Sequence, residues 1–190
     1  MIYGQLREEL DKQVSGAVAA AMVAAAATTV TDATAFSVPH FWGDVMKAAN
    51  SLETTTGNLL FATHVFMPPA NFRFAASQVD TNDRPLWTPD TGARPDPSTG
   101  ETGYSVAGSG VFVDGAIPPS GTDARIVVAN PAHGVLVARG EPVVQAFPQP
   151  GAEDLTVLLR LYQYVAVVVR YPSAAAVVSG AAYPAAPVFA

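Results

Sequence analysis

The sequence predicts a fold of mixed helices and strands, α/β or α+β, and three observations carry that expectation. Segments of helical period fill most of residues 2–78, short β runs fill residues 104–147, and a long alternating segment spans 155–169. The helix, strand, helix order of the first part is the rhythm of an α/β or α+β lobe, and after the long irregular insert the character changes to strands.

The first helix is expected over residues 2–27. Ile2, Leu6, Leu10, Val14 and Val18 recur every four residues, which gathers them on one side of a helix. Beyond Val18 the segment becomes smooth alanine, suited to close packing against a flat surface. It follows "REELDK" and falls short of the ~20 strongly apolar residues that a membrane span needs, so no membrane partner is expected. A second helix is expected from about Pro39 to Leu52, with Ser37 as its N-cap and Pro39 in its first turn. Its buried stripe is Phe41, Val45, Ala48 and Leu52, and Gly57 follows as a stop. "NLLFATHVFMPP" reads as a buried strand over 59–67, with His64 packed inside it, and Pro69 starts a short helix.

"DRPLWTPDTGARPDPSTGETGYSV", residues 83–106, is dense in proline, glycine and aspartate. Residues 88–102 are expected to be irregular and exposed, with Trp87 packed down at the root of the loop. "YSVAGSGVFVDG", "ARIVVAN" and "GVLVARGEPVVQAF" are short β runs punctuated by Gly and Pro. In 155–169, Leu155, Val157, Leu159, Leu161, Val165 and Val167 share one face. Thr156, Arg160, Tyr162 and Tyr164 share the other. A strand of that length would cross the whole domain, and Gln163, which interrupts the apolar face, marks either a bulge or an elongated arm. The odd-numbered face is expected in the core, and the face of Arg160, Tyr162 and Tyr164 is expected to be available to a neighbour. Residues 181–190 have no period and are expected to form a flexible tail.

Composition narrows the function. Apolar residues make up 49% of the 190-residue chain but charged residues only 14%, against about 25% in an average soluble domain. A surface so poor in charge suits a protein partly covered by partners. The net charge of −6, with no basic run, argues against tight or sequence-specific nucleic-acid binding, which needs clustered Lys and Arg. The absence of cysteine removes thiolate chemistry and cysteine metal sites. His40, His64 and His133 stand at no metal-ligand spacing, and "GYSVAGSG" is neither a nucleophile elbow nor a phosphate loop. "DTNDRPLWTPDT", residues 80–91, places Arg84 and Thr91 where a calcium loop needs oxygen ligands. No catalytic residue, metal or cofactor is assigned, and the chain is not read as an enzyme.

The order of segments resembles the major capsid proteins of tailed double-stranded DNA phages, whose Hong Kong 97-type fold is shared with encapsulins. "IYGQLREELDKQVSGAVAAAM" is similar to the helix that follows that family's long spine helix. "FATHVFMPPANFRFAASQVDTNDRPLW" is similar to its strand, turn, helix and exit, with Asn82 and Asp83 where glycine is common. "ETGYSV" resembles a return strand in which Ser105 stands where proline is usual. "DARIVVANPAHGVLVARGEPVVQAF" resembles a strand and turn with Ala129 and Asn130 in place of Gly-Asp. "DLTVLLRLYQYVAVVVRYPSAAAVVSG" is similar to the closing strands, with Arg160 and Pro172 in their places.

The resemblance implies a peripheral-domain helix over 1–30, an axial domain over 31–136, peripheral-domain strands over 137–180 and the tail. It implies a structural subunit of an icosahedral phage head, forming pentamers and hexamers around packaged DNA, assembled in the host bacterial cytoplasm and retained in the virion. The partners are then other copies and other capsid subunits, and the candidate assembly interface is Trp87, Asp90, Arg94, Arg160, Tyr162 and Tyr164. No counterpart of the family's N-terminal arm, extended hairpin loop or spine helix is read, so the chain alone is expected to be a monomer or small ring. The alternatives are an encapsulin-like compartment shell, or a small hydrolase or ligand-binding domain using loops 83–103 and 114–123.

Overall fold

The computed structural model describes residues 2–57, 59–90, 95–96, 99–148 and 157–187. Helix α1 (Ile2–Ala25) leads into strand β1 (Thr28–Thr31). Helix α2 (Val38–Thr55) opens on Ser37, whose backbone is extended at φ −148° and ψ 152° and whose side-chain oxygen accepts from the His40 N–H. Pro39 costs that first turn nothing, because its missing N–H would have had no partner there. Strand β2 (His64–Met67) and helix α3 (Pro69–Ala76) follow. The β-rich half comprises β3 (Glu101–Val106), β4 (Ser109–Val113), β5 (Ile126–Ala129), the single turn α4 (Pro131–Gly134), β6 (Val135–Arg139), β7 (Val143–Pro148), β8 (Val157–Tyr162), β9 (Val165–Val169) and β10 (Ala175–Ser179).

Six strands form one mixed sheet in the order β1-β10-β5-β2-β4-β3. β10, the last strand in the chain, lies between β1, which it pairs in parallel, and β5, which it pairs antiparallel. Its side chains alternate between two cores. Ala176 and Val178 face α2 with Phe41, Val45, Ala48, Val65, Met67 and Val128. Ala175 and Val177 face α1 with Ala19, Met22, Val127 and Ala129. The sheet is thus the middle of three layers, buried on both sides, and β5 and β10 accordingly read as continuous Val, Ile and Ala. Each large aliphatic or aromatic side chain fully buried there contributes about 1.5–3 kcal/mol relative to exposure.

The remaining strands form a separate ribbon. β6 pairs β9 antiparallel from Val135↔Val169 to Arg139↔Val165, and β7 pairs β8 from Val143↔Tyr162 to Pro148↔Val157. Three residues, 140–142, oppose two, 163–164, where the pairing breaks. The ribbon is therefore one long antiparallel pair with a one-residue bulge, the device that bends a ribbon and increases its twist. The long strand foreseen over 155–169 is interrupted by this bulge at Gln163, whose side-chain amide donates to the Gly140 carbonyl.

Several expectations need correction. The strand foreseen over 59–67 begins only at His64. Leu155 and the Val157 side chain, on the odd-numbered face of 155–169, lie outside what is described, and the rest of that face is not in the core: Leu159 is 40% exposed, and Leu161, Val165, Val167 and Val169 are half-buried. A two-stranded ribbon has one helix, α1, to lie against, and that covers one face only in part. Of the tail foreseen over 181–190, the described part, 181–187, is not loose, because Ala182 and Tyr183 are buried, and 188–190 lie outside the described residues. In 88–102, the described residues include a single bridge, Asp96 to Glu101, before β3 begins at Glu101.

The alanine half of α1 packs as expected, against the sheet, through Ala19 and Met22. Ala19→Glu would place a carboxylate in that second core with no cation opposite, at a cost of about 4 kcal/mol or more. The melting temperature should fall by roughly 10 °C by circular dichroism. Ala17→Glu, on the exposed side of the same helix, should leave it within ~2 °C.

Candidate assembly surface

The residues singled out for assembly fall into two groups. On the ribbon, Arg160, Tyr162 and Tyr164 line up on the face away from α1. The Arg160 guanidinium lies over the Tyr162 ring at 5.5 Å from its centroid, and Tyr162 meets Tyr164 edge to face at 5.9 Å. Alternation in β8 brings Arg160 and Tyr162 to one side, and since the extra residue of the bulge lies in 140–142, the same alternation carries on to Tyr164. Gln145 on β7 donates to the Tyr162 hydroxyl at 3.3 Å. Tyr164 itself is 78% exposed. Sequence reading missed that Leu136 and Val168, cross-strand partners on β6 and β9, are also exposed. Their signal was the run of apolar residues without a polar alternation in "GVLV" and "VAVVV", which reads equally as a buried strand.

The other face of the ribbon is tied to α1. Arg139 donates to Asp11 at 2.7 Å and to the Gln163 side chain at 3.3 Å. A groove of about 340 Å³ runs beside this tie, lined by Tyr3, Arg7, Leu10, Pro142, Leu161 and Gln163.

The loop group is not brought to the ribbon. Trp87 is packed at the loop's root, 3% exposed, with its indole N–H donating to the Ser105 carbonyl at 3.1 Å. Its ring meets Phe41, Phe72 and Tyr104 at 5.5, 5.8 and 4.9 Å. It is a core residue and is unavailable to a neighbour, which corrects its inclusion in the interface. Asp90 is exposed and accepts from the Ser105 hydroxyl at 2.9 Å. Arg94 lies outside the described residues. Asp80 turns inward on its own loop, accepting from the backbone N–H groups of Asn82 and Arg84.

Chemistry-bearing side chains are few elsewhere. Among the described residues no three of His, Asp or Glu are grouped to hold a metal ion. His64 is half-buried, stacked on Phe112 at 4.6 Å, and burial pushes its imidazole below its ordinary pKa. The deepest polar contact joins α2 to the tail. Asp44 and Tyr183 are both buried, and the Tyr183 hydroxyl donates to Asp44 at 2.7 Å. Lys47, one turn further along α2, donates to the other carboxylate oxygen at 2.9 Å, and that contact raises its pKa. Beside it, Asp32 accepts from the Thr34 hydroxyl and backbone N–H, which lower its pKa, and lies 3.7 Å from His40. Aspartate in the apolar stripe of a helix and tyrosine in a proline-flanked tail gave no periodic signal to find this pair by.

The architecture is found in solved structures. A chain from Mycobacterium phage Che8 superposes over 93% of this chain and 60% of its own length, at a TM-score of 0.59 and 12% identity. A virus-like particle from Pyrococcus furiosus matches over 90% of this chain and 64% of its own, at 0.59 and 13%. The chain has the Hong Kong 97-type capsid fold. At these identities the likeness is one of fold, and the chain spans less than two thirds of either neighbour's length. No protein-family model matches the sequence, and no curated protein is similar to it.

Within this capsid-fold chain, burial and the Asp44 carboxylate push the Tyr183 phenol far above its ordinary value of 10.0. The folded state therefore keeps a proton that the unfolded chain releases. Stability from this site is complete below pH ~10 and is lost as pH rises beyond it. Chemical denaturation between pH 8 and 11.5 should show the wild type losing stability above pH ~10 more steeply than Tyr183→Phe. Parallel curves would contradict this assignment.

Proposed function

We propose that the chain is a structural subunit of an icosahedral phage head, joining other copies in pentamers and hexamers around packaged DNA. The observation that carries this reading is the ribbon. Two-stranded ribbons are marginally stable in water on their own. This one carries exposed Leu136, Val168 and Tyr164 beside Arg160, a composition of the kind interfaces favour. A fold used by shells, with an aromatic and apolar ribbon projecting from its sheet, supports assembly through that ribbon. In this reading the sheet with α2 and α3 corresponds to the axial domain, and α1 with the ribbon to the peripheral domain. Asp90 and Arg94 would meet the adjacent subunit from the axial loop. The net charge of −6 suits a wall that encloses DNA without gripping it.

A second reading is a compartment shell that holds protein cargo, and one observation favours it. An apolar cavity of about 580 Å³ between α1 and the sheet, lined by Val18, Met22, Phe66, Phe112, Val127 and Val135, has the size of a ligand pocket. A short apolar cargo segment would suit it.

Light scattering over a range of concentrations tests the shell reading. The wild-type mass should climb from monomer toward a pentamer or hexamer, and Tyr164→Asp combined with Val168→Asp should hold it at monomer with an unchanged melting temperature. A wild type that stays monomeric at every concentration would remove the ribbon as an assembly surface.

A further inference from the structure

The tail after β10 does more than end the chain. Gly180 has φ +126°, a left-handed conformation open to glycine, and a Cβ there would collide with the Asp32 carbonyl. The Asp32 N–H donates to the Ser179 carbonyl at 3.0 Å, and the Ala182 N–H donates back to the Asp32 carbonyl at 3.3 Å. Tyr183 then fills the space between Phe36 and Asp44, with its ring 5.9 Å from that of Phe36. Its carbonyl accepts from Ala124, the Ala185 N–H donates to Thr122 at 2.8 Å, and Asn71 on α3 donates to the Pro184 carbonyl at 3.0 Å. The tail thereby grips Asp32, the residue just after β1, and anchors that grip in α2, α3 and the loop before β5. Among the described residues β1 pairs with β10 alone, and α1 enters the fold through β1.

We propose that Gly180–Ala185 is a latch on the junction between α1–β1 and the rest of the molecule, so that the tail and residues 26–34 open and close as one unit. With the latch shut, Asp32 is fixed between Ser179 and Ala182, and α1 holds a set position against both the sheet and the ribbon. With it open, β1 keeps one edge ladder of four residues and α1 keeps its packing of Ala19 and Met22 on the sheet, while residues 26–34 loosen together with the tail. The latch is a conformational device of the subunit and does not depend on the shell reading.

Hydrogen exchange read by mass spectrometry on the full chain tests it. Tyr183→Phe keeps the ring but leaves a buried Asp44 oxygen without its donor. Exchange should accelerate by about tenfold or more in both 26–34 and 180–187, with β2 and β4 unchanged. Gly180→Ala breaks the grip from the other side while leaving Tyr183 and Asp44 in place, and should accelerate the same two segments. In the unmodified protein the amides of Ala27, Asp32, Ala182 and Ala185 should share one opening equilibrium, which keeps the idea testable if neither variant folds. Acceleration confined to 180–187, a uniform rise through β2 and β4, or unequal protection of those four amides would overturn the latch.

Discussion

The placement of β10 is the constraint on which the rest of the molecule depends. It is the last strand in sequence among the described residues, yet it lies inside the sheet, with β1 on one side and β5 on the other. Its residues, Ala-Ala-Val-Val, are small because helices press on both faces. α2 meets Ala176 and Val178, and α1 meets Ala175 and Val177. Replacing either layer's contacts would leave β10 with one wet face and no polar residues to present to it. The two cores therefore meet through a single strand, and both wait on the C-terminal residues to close. Contacts of such large sequence separation carry a heavy loop-closure cost before they contribute anything.

The ribbon follows from the same economy. Once β10 is committed to the main sheet, β6 to β9 have no place in it, and they pair among themselves as a bulged two-stranded extension. α1, already spanning the second core with Ala19 and Met22, reaches them through Asp11 and Arg139. One helix covers one face of a twisted ribbon. The other face carries Arg160, Tyr162 and Tyr164, and the low charge of the sequence is concentrated in effect here, where apolar side chains meet solvent in an isolated subunit. A projecting strand pair with this composition would be a liability in a solitary protein, and it becomes useful where another surface completes it.

Much of this was legible in the sequence, and what was not has physical reasons. Ser37, Pro39 and the four-residue spacing of Phe41, Val45, Ala48 and Leu52 specify α2 locally, and all four are buried. The alanines of α1 announced a flat partner, and Trp87 announced the loop's root. The departures from the capsid pattern also make local sense. Asp83, where glycine is common, sits at φ 59°, a conformation aspartate tolerates better than most residues. Ser105, where proline is usual, donates to Asp90, and Asn130 donates to the Phe61 carbonyl. The strand 155–169 was legible as alternation, but its burial was not, because alternation states which residues share a face and not what covers that face. The tail misled for a related reason. A segment held by backbone hydrogen bonds and one aromatic ring has no period to detect.

The Asp44–Tyr183 contact shows why such a tail can still be specified. Filling the space beside Phe36 and Phe41 with an apolar ring would stabilise the core equally well and in several registers. A buried carboxylate removes that freedom, because Asp44 must have donors, and Lys47 from α2 satisfies only one of its oxygens. A shift of the tail by one residue would withdraw the Tyr183 hydroxyl and leave a charged oxygen buried without a partner, a cost of the size that decides between registers. Gly180 makes the approach possible, since any side chain there would strike Asp32. Polar satisfaction and steric access together therefore select one docking of the tail. In a three-layer sheet closed by its last strand, that choice fixes where β1 and α1 begin.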